Sequence, residues 1–213
     1  MVMLRWLLLS LLIVTLHLPL SGRSNGDLGL GAGCRTGINK AGYVYGLTGI
    51  AHLDTALAYE GVKEKTGNND GYWPSIFLKS VGIRTPAPWC AAFASWCMTQ
   101  CKDILFSIRT PLAQKFITSE SISAWDVFRG LRKVPRGSLV IWKKYETIFG
   151  HVGFNIYIWE GRVGYTIEGN YDNRVKRGLR EIEPTAGTRI VKFTIVNYKE
   201  KSIWNYGRNI WLF

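Results

Sequence analysis

Two residue types in this chain are both scarce and chemically able: four Cys and three His among 213 residues. Cys90 sits in the run Pro88-Trp89-Cys90-Ala91-Ala92-Phe93, with Pro86 also just upstream. Proline is favoured at helix starts, and small residues such as Ala91, Ala92, Ala94 and Ser95 let a helix lie close to other elements. The spacing therefore puts Cys90 at a helix N-terminus. A thiol there meets the positive end of the helix dipole and unsatisfied N–H groups, which favour the thiolate. Cys97 and Cys101, further along the same predicted helix and on roughly the same face, fit the ordinary role of cysteine as a small buried apolar residue. Taken alone, Cys90 suits that role too. A disulfide from Cys34 to Cys97 or Cys101 is compatible with an exported protein, and the three cysteines other than Cys90 cannot all pair within the chain.

A thiolate nucleophile works with an imidazole that deprotonates it and later protonates the leaving amine. His17 lies in an apolar leader, which leaves His52 and His151. His52 opens a predicted helix, where a half-exposed structural or solvated histidine is the ordinary expectation. His151 begins a strongly strand-like run, FGHVGFNIYIW, flanked by Gly150 and Gly153, where backbone or substrate can approach closely. If Glu160-Gly161 is a two-residue hairpin connection, Trp159 pairs with Arg162 and paired positions sum to 321. His151 then stands opposite Asn170, and Gly153 opposite Glu168. Side chains alternate faces, so His151, Asn170 and Glu168 share one face. Either Glu168 or Asn170 could accept the second imidazole N–H and fix the tautomer. On spacing alone both also suit ordinary polar positions near a turn.

The elements that must hold these residues can be read from periodicity. Helices are predicted over residues 53–64, ended by Gly61 or by the turn-rich run 66–71, over 73–81, from Cys90 onward, and over 121–132. After Pro135-Arg136-Gly137 the period becomes that of strands, at residues 138–143, 153–159, 163–168, 189–197 and 209–213. Helices first and hairpin-connected strands second predict an α+β domain with an antiparallel sheet. One domain running from residue 38 to 213 is expected. Residues 23–37 read as a Gly-rich lead-in, and their glycines do not form the G-x-G-x-x-G pattern of a phosphate cradle.

Composition narrows the class. A hydrophobic share of 47% against 20% charged residues excludes intrinsic disorder, and 23 Gly without a three-residue period exclude collagen. Four Cys are too sparse for a disulfide-built scaffold. Residues 1–22 have one positive residue, Arg5, and then an uncharged stretch of 17 residues, Trp6 to Gly22, interrupted by Ser10, Thr15, His17 and Pro19. A bilayer-spanning helix needs about 20 apolar residues, so this reads as a secretory signal peptide, with an uncleaved anchor as the alternative. The expected location is secreted or periplasmic. The formal charge of +12 falls by one when Arg5 is removed. Such a surface attracts polyanions, and for an exported protein these are anionic envelope polymers rather than nucleic acid. A basic surface also serves solubility alone.

The chain resembles the CHAP family, the cysteine, histidine-dependent amidohydrolases/peptidases that cleave bacterial cell-wall peptides. The resemblance rests on GVKEKTGNNDG (61–71), PWCAAFASWC (88–97), RGSLVIW (136–142), GHVGF (150–154) and TIEGN (166–170), in the family's order. It implies a papain-like α+β fold, with N-terminal helices packed on an antiparallel β-sheet, and a monomer acting on peptidoglycan as an N-acetylmuramoyl-L-alanine amidase or a stem or cross-bridge endopeptidase. Cys90 would be the nucleophile, His151 the general base and then acid, Glu168 the group orienting the imidazole, and Asn170 a supporting residue or substitute orienter. Glu64 and Asn69 would hold the loop before the nucleophile helix. Some phage members bind calcium through an Asp-rich run near the nucleophile. That run is missing here, so neither metal nor cofactor is expected, Asp70 and its Asn neighbours being the nearest approach. The rival reading is a non-catalytic wall-binding module of the same fold. A Cys-His-His arrangement would need another histidine after His151, and none exists.

Overall fold

The computed structural model describes residues 48–105, 108–183 and 188–199. The expected export signal, the Gly-rich lead-in, Cys34 and the strand predicted at 209–213 lie outside them. Helix α1 (Ala51–Ala58), α2 (Tyr72–Ser80) and α3 (Cys90–Thr99) come first, followed by a 3-10 turn (Ala113–Phe116), strand β1 (Ile122–Ser123) and α4 (Ala124–Phe128). Then come β2 (Leu139–Lys144), β3 (Gly150–Asn155), β4 (Val163–Tyr171), β5 (Arg174–Glu181) and β6 (Thr188–Thr194). The sheet has the order β1-β6-β2-β3-β4-β5, and all its pairings are antiparallel. Helices ahead of an antiparallel sheet make this the α+β, papain-like arrangement expected from the sequence.

Why the strand run LVIW is apolar without alternation becomes clear from packing. Both faces of β2 are covered. Leu139 and Ile141 join the core formed with α1, α2 and α3, whereas Val140 and Trp142 join a second core with Val127, Trp159, Ile190 and Phe193. A strand buried on both sides reads as a continuous hydrophobic run. Helix α3 is buried nearly all round, so its alanines serve close approach rather than amphipathicity. Gly169 of β4 lies so near that a Cβ there would stand 2.6 Å from the Phe93 Cβ.

Several sequence expectations are corrected. The first helix ends at Ala58, short of residue 64 and three residues ahead of the Gly61 stop, because the chain folds back at Gly61 to bond Val175. Only residues 124–128 of the predicted 121–132 helix are helical: Ile122 and Ser123 pair with β6, and Gly130, at φ +73, ends the turn. Cys101 lies beyond the end of α3, not inside it. Strand β3 starts at Gly150 and stops at Asn155, and Trp159 bonds Val134 instead of Arg162. The tight 160–161 hairpin is therefore absent. The register is nonetheless the one deduced, with Gly153 opposite Glu168 and Phe154 opposite Ile167. Strand β5 is unforeseen: RVKRGLRE has only Val175 buried, so it carries no hydrophobic alternation. Its signal lies in the Asp172-Asn173 turn, where both residues have positive φ (51° and 61°), the requirement of a two-residue hairpin turn matched to strand twist.

His52 is buried, not half-exposed. Its Nε2–H donates to the Gly137 carbonyl at 2.7 Å, and Nδ1 accepts from the Tyr198 hydroxyl at 2.6 Å. Burial pushes its pKa down to about 4 against the opposing pull of the Gly137 bond, so the ring is a neutral tie between α1, the turn before β2 and the segment after β6. Among the described residues, no helix is long and apolar enough to cross a membrane.

Candidate active site

Cys90 is the first residue of α3. The first helical bond is donated by Phe93 N–H to the Trp89 carbonyl at 2.8 Å, so the N–H groups of residues 90–92 precede the helical ladder. Burial alone would push the Cys90 thiol up. The charge and hydrogen bond of His151, with backbone N–H groups of Val152 and Ala91, outweigh it and bring the thiol below its usual value.

His151 enters from β3, opposite Trp142 of β2, whose ring meets the imidazole edge-on at 5.3 Å. Its Nε2 lies 2.7 Å from Glu168 Oε2. An ionised carboxylate only accepts, so Nε2 carries the hydrogen, which leaves Nδ1 for the thiol. Burial favours a neutral ring, but the Cys90 thiolate and then Glu168 raise the His151 pKa above the histidine range. A lowered thiol beside a raised imidazole favours transfer of the thiol proton to His151.

Glu168 is fully buried. Gly153 makes its position available: a Cβ at Gly153 would stand 2.4 Å from Glu168 Cγ. Besides His151, the carboxylate accepts from Arg180 through Nε to Oε1 at 2.8 Å and Nη2 to Oε2 at 2.7 Å, and from the Thr166 hydroxyl. Burial raises a carboxyl pKa, yet the Arg180 bonds and then His151 hold Glu168 down to about 2. Arg180 and Thr166 were not found from the sequence. Thr166 shares a face with Glu168 by alternation alone. Arg180 required β5, whose turn was the available signal.

Asn170 goes elsewhere. The β4·β5 ladder breaks between Glu168 and Tyr171, and Asn170 takes a left-handed backbone with φ 56. It therefore leaves the face deduced for it and does not stand across from His151. In the orientation that satisfies its amide, the nitrogen donates to Glu64 Oε1 at 3.0 Å and the oxygen accepts from Trp89 N–H at 3.1 Å, with the Asn69 side-chain amide 2.9 Å away. Glu64, itself buried, also accepts from the Trp89 indole at 2.8 Å and the Asn69 N–H at 2.8 Å. These residues anchor the one immediately before Cys90. Cys90, His151 and Glu168 are thus in one bonded series, and Asn170 braces the helix start beside it. Among the described residues, no group of three or more His, Cys, Asp or Glu is placed to hold a metal ion.

Residues 82–170 match the CHAP domain family model. No curated protein and no solved structure matches the chain. The matched span begins before α3, ends at Asn170, and contains Cys90, His151 and Glu168 while leaving Arg180 outside. CHAP domains are hydrolases of the amidase and peptidase type that act on peptidoglycan. The matched span, under half of the chain, is similar to the CHAP domain family and is set in a papain-like α+β fold.

Proposed function

We propose that this protein is an exported peptidoglycan hydrolase that cuts an amide bond through Cys90, either as an N-acetylmuramoyl-L-alanine amidase or as a stem or cross-bridge endopeptidase. The observation that carries the reading is the bonded series Cys90, His151, Glu168 at the N-terminus of α3. In this mechanism the Cys90 thiolate attacks the amide carbonyl, and the tetrahedral oxyanion is held by N–H groups at the start of α3. The intermediate collapses as His151 Nδ1–H protonates the departing amine, which leaves a thioester on Cys90. Water then attacks the thioester carbon while Nδ1 takes its proton. The acyl product leaves as a carboxylic acid, and the thiol proton returns to the His151–Cys90 pair. Glu168 accepts from Nε2–H throughout and keeps Nδ1 aimed at the sulfur. Asn170 supports the geometry through Trp89, at the point where α3 begins. The net positive charge draws the enzyme to an acidic envelope.

Cys90→Ala tests this directly. It should abolish the release of new amine ends from purified peptidoglycan while circular dichroism stays that of the parent, and mass spectrometry of the parent's products identifies the bond cut. Undiminished release by the variant would overturn the mechanism. Pelleting with peptidoglycan but no release by either protein would instead assign the chain to a wall-binding module.

A further inference from the structure

We propose that Arg180 is a positioning residue for the reaction, acting through Glu168: its guanidinium keeps that carboxylate ionised and aimed during the half of the cycle in which His151 is neutral. The proposal rests on the cysteine hydrolase reading above.

The need for such a group follows from the sequence of charges. Before attack, the buried site holds a thiolate, an imidazolium and the Glu168 carboxylate. Once His151 has given its proton to the amine, the sulfur is a neutral thioester and the ring is neutral, so Glu168 would be the one remaining charge. A fully buried carboxylate without a counter-charge is strongly disfavoured and takes up a proton instead. A protonated Glu168 would donate to Nε2, and the ring hydrogen would then sit on Nδ1. That tautomer has no lone pair facing the water it must deprotonate. An ionised Glu168 enforces the opposite tautomer, Nε2–H with Nδ1 basic. Deacylation therefore needs a permanent cation on Glu168 that is not His151.

Arg180 meets that need. It spans both carboxylate oxygens at 2.8 and 2.7 Å, the fork geometry that matches guanidinium to carboxylate. Its own position is held by the Tyr171 ring, 3.7 Å from the guanidinium carbon, with Trp142 on another side at 5.6 Å. Among the described residues, charged and titratable groups reach the surroundings of the carboxylate from four elements. Helix α3 brings Cys90, β3 brings His151, and β4 and its turn bring Tyr171 and Asp172. Strand β5 brings Lys176 as well as Arg180. Lys176 stands opposite Glu168 in the ladder but is bonded to Asp172 Oδ2 at 2.6 Å, which leaves the carboxylate to Arg180. A guanidinium stays charged across the working pH range, so the clamp does not follow the proton that His151 passes back and forth.

The test uses Arg180→Gln, which keeps donors but removes the charge, and Arg180→Lys, which keeps the charge but not the fork. Two quantities are read against pH: kcat for amine release from solubilised peptidoglycan fragments, and alkylation of Cys90 by iodoacetamide located by peptide mass. Rapid alkylation of the parent at neutral pH is required by the cysteine hydrolase reading, and its absence would sink that reading rather than the role of Arg180. With it present, Arg180→Gln should keep neutral-pH alkylation, since the imidazolium still balances Glu168, while the acid limb of kcat moves up by at least about one pH unit. Arg180→Lys should bring that limb back to within about half a unit of the parent. A folded Arg180→Gln with the parent's kcat profile would overturn the proposal. If Arg180→Gln does not fold, Arg180→Lys decides: a limb displaced by a full unit despite the retained cation would overturn it.

Discussion

Gly153→Ala is the substitution whose consequence can be worked most directly from distances. Gly153 takes an ordinary strand conformation, so alanine brings no backbone strain, only a methyl group. That methyl would stand 2.4 Å from Glu168 Cγ, 2.9 Å from the Ile167 carbonyl oxygen and 3.3 Å from Glu168 Cβ. The carbonyl belongs to the β3·β4 ladder and cannot retreat without breaking the sheet. Relief must come from Glu168, which has to move by about 1 Å to restore ordinary van der Waals contact. Its carboxylate is pinned on both oxygens, so the shift lengthens the 2.7 Å bond to His151 or opens the Arg180 fork. On the mechanism proposed above, a displacement of that size at the residue that orients His151 costs on the order of 10²-fold in rate, and overpacking of this kind costs about 1–3 kcal/mol of stability. Amine release from peptidoglycan fragments and urea denaturation followed by tryptophan fluorescence measure the two effects. Val127→Ala, in the second core away from the site, is the control for stability lost without geometry lost, at roughly 2 kcal/mol. A Gly153→Ala enzyme with kcat within about threefold of the parent, or a Val127→Ala enzyme that loses as much activity, would refute the reasoning.

Three further outcomes are expected. His52 is neutral in the folded chain down to about pH 4 and takes up a proton near pH 6.5 when unfolded, so the stability it contributes is complete above pH 6.5 and is lost as the pH falls from there to about 4. The loss is about 3 kcal/mol at 1.36 kcal/mol per unit, and denaturant midpoints for His52→Gln should fall less steeply over that window than those of the parent. Asn170→Ala leaves Glu64 and the Trp89 N–H each short of a partner. It should cost about 1–3 kcal/mol by thermal unfolding and slow alkylation of Cys90, whereas an unchanged melting temperature would remove Asn170 from the brace. Because Cys90 is lowered and His151 raised, alkylation of Cys90 should run at thiolate rates at pH 6–7 in the parent and return to the profile of an ordinary thiol in His151→Ala. Parallel profiles for the two would show that no ion pair exists.

Local chemistry in the sequence determined a good deal by itself. Prolines and small residues before and after Cys90 were enough to place a thiol at a helix start, because those signals act within one turn of helix. Period-two alternation around GHVGF and TIEGN put His151 and Glu168 on one face, and the register matches even though the connection does not. Any connection that preserves the same pairing sum keeps the same faces together, so a wrong turn could still leave the right neighbours. Tertiary structure decided the rest. Asn170 shares the alternation of Glu168, but a left-handed residue and a broken ladder turn it to the N–H before Cys90, a choice made by what α3 and Glu64 offer it. Strand β5 has no apolar pattern because it lies at the sheet edge with one buried side chain, so nothing in its own periodicity announced it. Arg180 came with it: a carboxylate buried by distant parts of the chain needs a fixed counter-charge, and only the folded sheet determines which of the basic residues reaches it.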